Sequence, residues 1–138
     1  MAQQQMQEEK KEDNQEEKER QEQKQDCIFC KIVRGEIESE KIYENDNFIV
    51  IKDANPKVEG HSLVMPKKHY ENLIDMPASL YGEFLETAQE VAVKLIKEKN
   101  AGGFNLAMNN GEAAGQLVNH AHLHVLPRKQ GDGFDLNI

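Results

Sequence analysis

Of the 138 residues, the first 25 are almost wholly Gln, Glu, Lys, Asp and Arg, with Met1, Ala2 and Met6 the only apolar side chains, so about 113 remain to build a core. That length suits one domain and leaves no room for a second. The formal net charge of -8, with -3 on the first 25 residues and -5 on the rest, speaks against long nucleic acid as the main partner, because a phosphate backbone calls for a clustered basic face. A small phosphorylated ligand stays open. No apolar run approaches the ~20 residues of a membrane span, and the N-terminus lacks the apolar stretch of a secretory signal. The expectation is a cytoplasmic chain without a membrane partner.

Residues 1–25 offer no apolar stripe to pack against a core and are expected to form a disordered tail or a solvated helix. The folded domain is expected over 26–138. Ile28, Phe29, Ile32 and Val33 recur at helical spacing, with Gly35 as the stop, and predict a short helix carrying Cys30. Lys41–Glu44 and Phe48–Ile51, separated by Asn45-Asp46-Asn47, predict a hairpin with Asp53 at the exit of its second strand. Asn55–Gly60 has loop chemistry, and His61–Met65 up to Pro66 predicts a third strand, with His61 a polar residue at its start and His69 in the loop beyond.

From about Ser79 to Lys99, Leu80, Phe84, Leu85, Ala88, Val91, Ala92, Leu95 and Ile96 fall on one helical face opposite Glu and Lys. Asn100 and Gly102-Gly103 mark its end. Phe104–Met108 and Leu117–Leu126 predict the fourth and fifth strands. The whole is α+β, an antiparallel sheet of about five strands with one long amphipathic helix and a short N-terminal one, since the short links rule against parallel crossovers.

The run His120-Ala121-His122-Leu123-His124 carries the chemistry. Alternation on a strand puts the three histidines on one face with rings ~7 Å apart. Two readings follow from the residues. The set holds one zinc ion in an open catalytic site, or a metal-free imidazole attacks phosphorus and splits one hard displacement into two easier ones. The preceding loop, Asn109-Asn110-Gly111-Glu112-Ala113-Ala114-Gly115-Gln116, is rich in small residues able to bring backbone N–H groups near an anion, with Asn109 and Gln116 adding amide donors. Cys27-x-x-Cys30 alone is half a zinc site, or else two buried thiols or a redox pair.

Gly115–Arg128, with its alternating histidines followed by two apolar residues, resembles the signature of the histidine-triad nucleotide hydrolases and transferases. The resemblance extends to Asp26–Ile32, Ile51-Lys52-Asp53 and Gly60–His69. It implies a covalent nucleotidyl intermediate on His122, contact of His124 with the scissile phosphate, and orientation of the nucleophile by the backbone carbonyl of His120. Asn109, Gly115 and Gln116 would surround the α-phosphate, Asp53 would hold ribose hydroxyls, and Ile51 and Ala54 would flank the base. Leu117 departs from the usual Ser or Thr and removes one hydroxyl contact.

In the branch of that family with an N-terminal cysteine pair, structural zinc is completed by residues matching His69 and His120, giving Cys27, Cys30, His69 and His120 and requiring no catalytic metal. The resemblance further implies a homodimer through the long helix and Phe104–Met108. The substrates would be purine nucleotide conjugates: a phosphoramidate, an acyl-adenylate or a dinucleoside polyphosphate. A nucleotide-binding adaptor with little turnover is the alternative from another class.

Overall fold

The structure, a computed structural model, describes residues 25–136; the charged segment ending at residue 24 and the last two residues lie outside it. In chain order the elements are α1 (Ile28–Val33), β1 (Lys41–Glu44), β2 (Phe48–Lys52), β3 (Ser62–Pro66), α2 (Tyr81–Lys99), β4 (Gly103–Ala107) and β5 (Leu123–Arg128). The five strands form one antiparallel sheet in the order β1-β2-β3-β5-β4. The α+β architecture expected from the sequence is the one observed.

The β1–β2 hairpin closes because Asn45 folds its own turn. Its Oδ1 accepts the backbone N–H of Phe48 at 2.8 Å and of Asn47 at 3.2 Å, while its Nδ2 donates to Thr87 Oγ on α2 at 3.0 Å. The turn is thereby fixed to the helix that covers the sheet. Phe48, Val50, Val64, Leu123 and Val125 bury against Phe84, Ala88, Val91, Ala92 and Leu95 of α2, with Phe48 and Phe84 stacked 5.3 Å apart. At ~25 cal/mol per Å2 of apolar surface this layer is the main source of stability. α2 ends where Asn100 takes a left-handed conformation at φ 52°.

The opposite sheet face is covered differently. Ile49, Ile51, Leu63 and Met65 meet Phe29, with Ile32 and Val33 packed alongside, so the six-residue α1 forms a second, smaller layer. A helix that short is marginal in isolation.

Two expectations need correction. Leu85, assigned to the packed face of α2, is 59% exposed, and Ile96 is only half-buried. The buried stripe is Phe84, Thr87, Ala88, Val91, Ala92 and Leu95, and Leu85 stands at its outer margin. The fifth strand begins at Leu123 and not at Leu117. Upstream, the His120 N–H donates to the Val118 carbonyl and the Ala121 N–H to that of Tyr70, so this stretch bonds locally and outside the ladder.

Candidate functional site

A cavity of about 680 Å3 opens on the α1 side of the sheet, lined by residues from α1, the ends of β2 and β4, the loop before β5, and β5 itself. Of the residues expected to bind nucleotide or react with it, Ile51, Asp53, Ala54, Asn109, Gly115, His122 and His124 all line this cavity. His120 and Gln116 do not. Phe29 and Ile32 of α1 also form part of the wall, a role their helical spacing did not announce.

His122 is 6% exposed, and its Nδ1 donates to the carbonyl of His120 at 2.7 Å. That bond fixes the tautomer: with the proton on Nδ1, the lone pair resides on Nε2. Burial, outweighing the bond to His120, lowers the ring's proton affinity below the ordinary imidazole value and keeps the ring neutral. Phe29 presses on it edge-on at 5.1 Å and restricts its rotation.

His124 is set by a relay that starts at the backbone. The Lys57 N–H donates to His61 Nδ1 at 3.1 Å, so the proton of neutral His61 sits on Nε2. From there it reaches His124 Nδ1 at 2.9 Å and lies 3.4 Å from Asp53 Oδ2. His124 Nδ1 is thus an acceptor, and its own proton is left on Nε2 as a donor. Burial first, then the neighbouring His122 and His61, push its pKa down to about 4. His61, read from the sequence as a polar strand start, is 3% exposed and the residue that sets this tautomer. The rings of His122 and His124 lie 5.1 Å apart, closer than a regular strand would hold them, because His122 precedes β5.

His120 turns away from the cavity. Its Nε2 donates to the Pro66 carbonyl at 2.7 Å, which leaves Nδ1 unprotonated and facing Cys27 Sγ at 3.4 Å and Cys30 Sγ at 3.5 Å. His69 Nδ1 lies 3.3 Å from Cys30 Sγ. The four ligating atoms fall within 4.8 Å of one another. Tetrahedral zinc with these ligands separates neighbouring sulfur and nitrogen donors by roughly 3.5 Å, so the donor set fits the ion in type and spacing. The carbonyl on His120 Nε2 is the outer-shell bond expected of a ligating imidazole. The hydrogen bond to Cys30, with His120 and His69 adding to it, holds the Cys27 thiol far below the ordinary thiol range against the opposing effect of burial. The three histidines of the run therefore do not converge on one ion. Asp53, His61 and His124 also bring ligating atoms within 4.8 Å, but two of those atoms are engaged with each other in the relay.

The loop before β5 is held by its own hydrogen bonds. Gln116 is buried; its Nε2 donates to the carbonyls of Glu71 at 2.6 Å and Val118 at 2.9 Å, and its Oε1 accepts the Gly111 N–H at 2.8 Å. The N–H groups of Ala114, Gly115 and Gln116 donate within the loop to Gly111 and Glu112. These bonds tie the loop to itself and to Glu71. Gly115 supplies the φ of +91° that the turn requires, against the Asn109 side chain.

The HIT domain family model matches residues 34–131, and the chain belongs to that family. An uncharacterized HIT-like protein of Methanocaldococcus jannaschii is 44% identical over 107 residues, covering 78% of this chain and 82% of the relative. Adenylylsulfatase HINT3 of Arabidopsis thaliana is 42% identical over 109 residues, covering 79% of this chain and 55% of that longer protein. Among solved structures, a zinc-bound histidine triad family protein from Mycobacterium smegmatis superposes with a TM-score of 0.78 at 39% identity, covering 83% of each chain. The family match begins after Cys27 and Cys30, so the cysteine half of the metal cluster lies outside it.

Proposed function

We propose that this protein hydrolyses or transfers nucleotidyl groups at the α-phosphorus of purine nucleotide conjugates, with His122 as the nucleophile. The observation that carries this is the 2.7 Å bond from His122 Nδ1 to the His120 carbonyl, in a buried ring on the wall of a nucleotide-sized cavity. The adenylylsulfatase relative supports an adenylyl substrate.

The His122 Nε2 lone pair forms the bond to phosphorus. The bond to the leaving group breaks with its electron pair on the departing atom, which takes a proton from water at the open rim. Water then attacks phosphorus, the P–N bond breaks, the electron pair returns to Nε2, and the proton of the water goes to solvent. The Nε2–H of His124 is positioned to stabilise charge growing on a phosphoryl oxygen, a contribution of ~3 kcal/mol when a single such donor is removed from other enzymes. Asp53 would take the ribose hydroxyls, and Ile51, Ala54, Phe29 and Ile32 would enclose the base.

Cys27, Cys30, His69 and His120 would hold zinc, which supplies a closed tetrahedral tie between α1 and the segment before β5. With four protein ligands no coordination position remains for water. Because one residue gives its ring to the cluster and its carbonyl to His122, the cluster would also steady the nucleophile. The homodimer implied by the resemblance is part of the same proposal, supported by the apolar side chains of α2 and β4 left in solvent. So is a cytoplasmic setting, which suits two thiols held as ligands.

The test is mass analysis of the intact protein during turnover of a fluorogenic adenosine phosphoramidate. A burst of fluorophore together with a nucleotidyl mass on His122 is expected. Tight nucleotide binding without burst or adduct would identify a nucleotide-binding module instead.

A further inference from the structure

Leu117 is 94% exposed, yet it lines the same cavity as His122 and His124. Single apolar side chains on a surface need no explanation; what distinguishes this one is its position. The buried Gln116 beside it is tied through its amide to the carbonyls of Glu71 and Val118, so the loop holds Leu117 at the rim. We propose that Leu117 selects the leaving group: it gives the cavity an apolar lip that favours conjugates releasing an apolar amine over conjugates releasing an anion. This deepens the nucleotidyl-transfer proposal and rests on it.

The direction of attack locates the leaving group. His122 is buried at the floor, and in-line displacement sends the departing atom to the far side of phosphorus, toward the open rim where Leu117 stands. Charge supports the same choice. Among the described residues lining the cavity, the only cationic side chains are Lys52 and Lys57, which bracket Asp53 in the sequence, and Lys52 is paired with Glu40 at 3.1 Å. The loop that carries Leu117, residues 109–119, has no Lys or Arg, so it offers a departing sulfate or polyphosphate no cation, whereas an amine departs neutral once protonated and covers apolar surface. Closing an amine's hydrocarbon over about half of a leucine side chain corresponds to roughly tenfold in kcat/KM.

The experiment compares two adenosine phosphoramidates, one built on phenylethylamine and one on glycine, with the wild-type chain and Leu117→Ser. Both kcat/KM and the rate of adduct accumulation are read. The wild type is expected to favour the phenylethylamine conjugate about tenfold, and Leu117→Ser to bring the ratio to about threefold or less. Since Leu117 is nearly all in solvent, the substitution leaves the core intact. Adduct formation with no preference in the wild type, or with a preference that survives in the variant, overturns the role of Leu117 alone. No adduct from either conjugate overturns nucleotidyl transfer, and the role of Leu117 with it.

Discussion

At the scale of single residues, the alternation of the histidine run was legible and its consequences were only partly so. His122 and His124 line one cavity as the alternation requires, but His120 is drawn away because the chain before Leu123 bonds to Val118 and Tyr70 outside the ladder. Separating His120 from the nucleophile makes a clear prediction. His122→Asn is expected to keep about one zinc per chain and to form no adduct, as read by metal analysis and intact mass; loss of the metal would revive an open-site zinc enzyme. His61 was invisible as a functional residue because its partner lies 63 positions away and meets it only through the register that sets Leu63 opposite His124. It is a positioning residue, and its removal should change a tautomer before it changes a fold. In His61→Ala, nitrogen NMR should show the His124 proton redistributing from Nε2, while His61→Gln, able to donate to Nδ1, should hold it there. The same chemistry fixes a pH dependence. With a folded pKa of about 4 against 6.5 unfolded, His124 binds protons more readily in the unfolded chain between those values. Its effect on stability is therefore absent above pH 6.5 and grows unfavourable as pH falls toward 4. Ring carbon shifts that titrate near 6.5 would contradict the burial of this residue.

At the scale of elements, period alone found the long helix, since repeated burial over 19 residues outweighs local noise. Leu85 was misassigned because it falls at the margin of the stripe, where a single step of 100° separates packed from exposed. The short α1 was found as a helix but not as a cavity wall. In the proposed zinc site its place would be set by donors at four positions, of which Cys27-x-x-Cys30 discloses two. Substituting Cys30 tests that dependence. Cys30→Ser is expected to lose the metal and to lower the thermal midpoint by roughly 5 °C or more, as each kcal/mol corresponds to ~4 °C in a domain of this size. Because Phe29 and Ile32 close the cavity from α1, the KM for nucleotide should rise along with it. A variant with an unchanged midpoint and unchanged KM would show that α1 is held by its apolar packing alone.

At the scale of the whole molecule, the distribution of apolar surface is asymmetric. β4 is an edge strand, with Phe104 43% and Leu106 37% exposed, and the outer side of α2 leaves Leu85 and Val93 in solvent. An open edge beside apolar side chains invites pairing, and chains that are not blunted by charge or proline at such an edge usually cover it. β4 carries neither: its sequence is Gly-Phe-Asn-Leu-Ala. A second copy is the economical cover, because a twofold axis lets the same patch serve both sides. The opposite face of β4 tightens the connection to chemistry. Ala107 pairs with His124 and lines the cavity, so whatever fixes β4 also fixes one wall of the site. Sedimentation equilibrium is accordingly expected to give twice the 15.8 kDa chain mass. Leu106→Glu should shift the protein to monomer with the core unaffected, since the side chain already reaches solvent. Burying even one unpaired carboxylate at such an interface costs several kcal/mol, enough to weaken association by more than a hundredfold. If Leu106→Glu stayed dimeric, the twofold contact would have to lie elsewhere; if the wild type were monomeric, the exposed edge of β4 would need another partner.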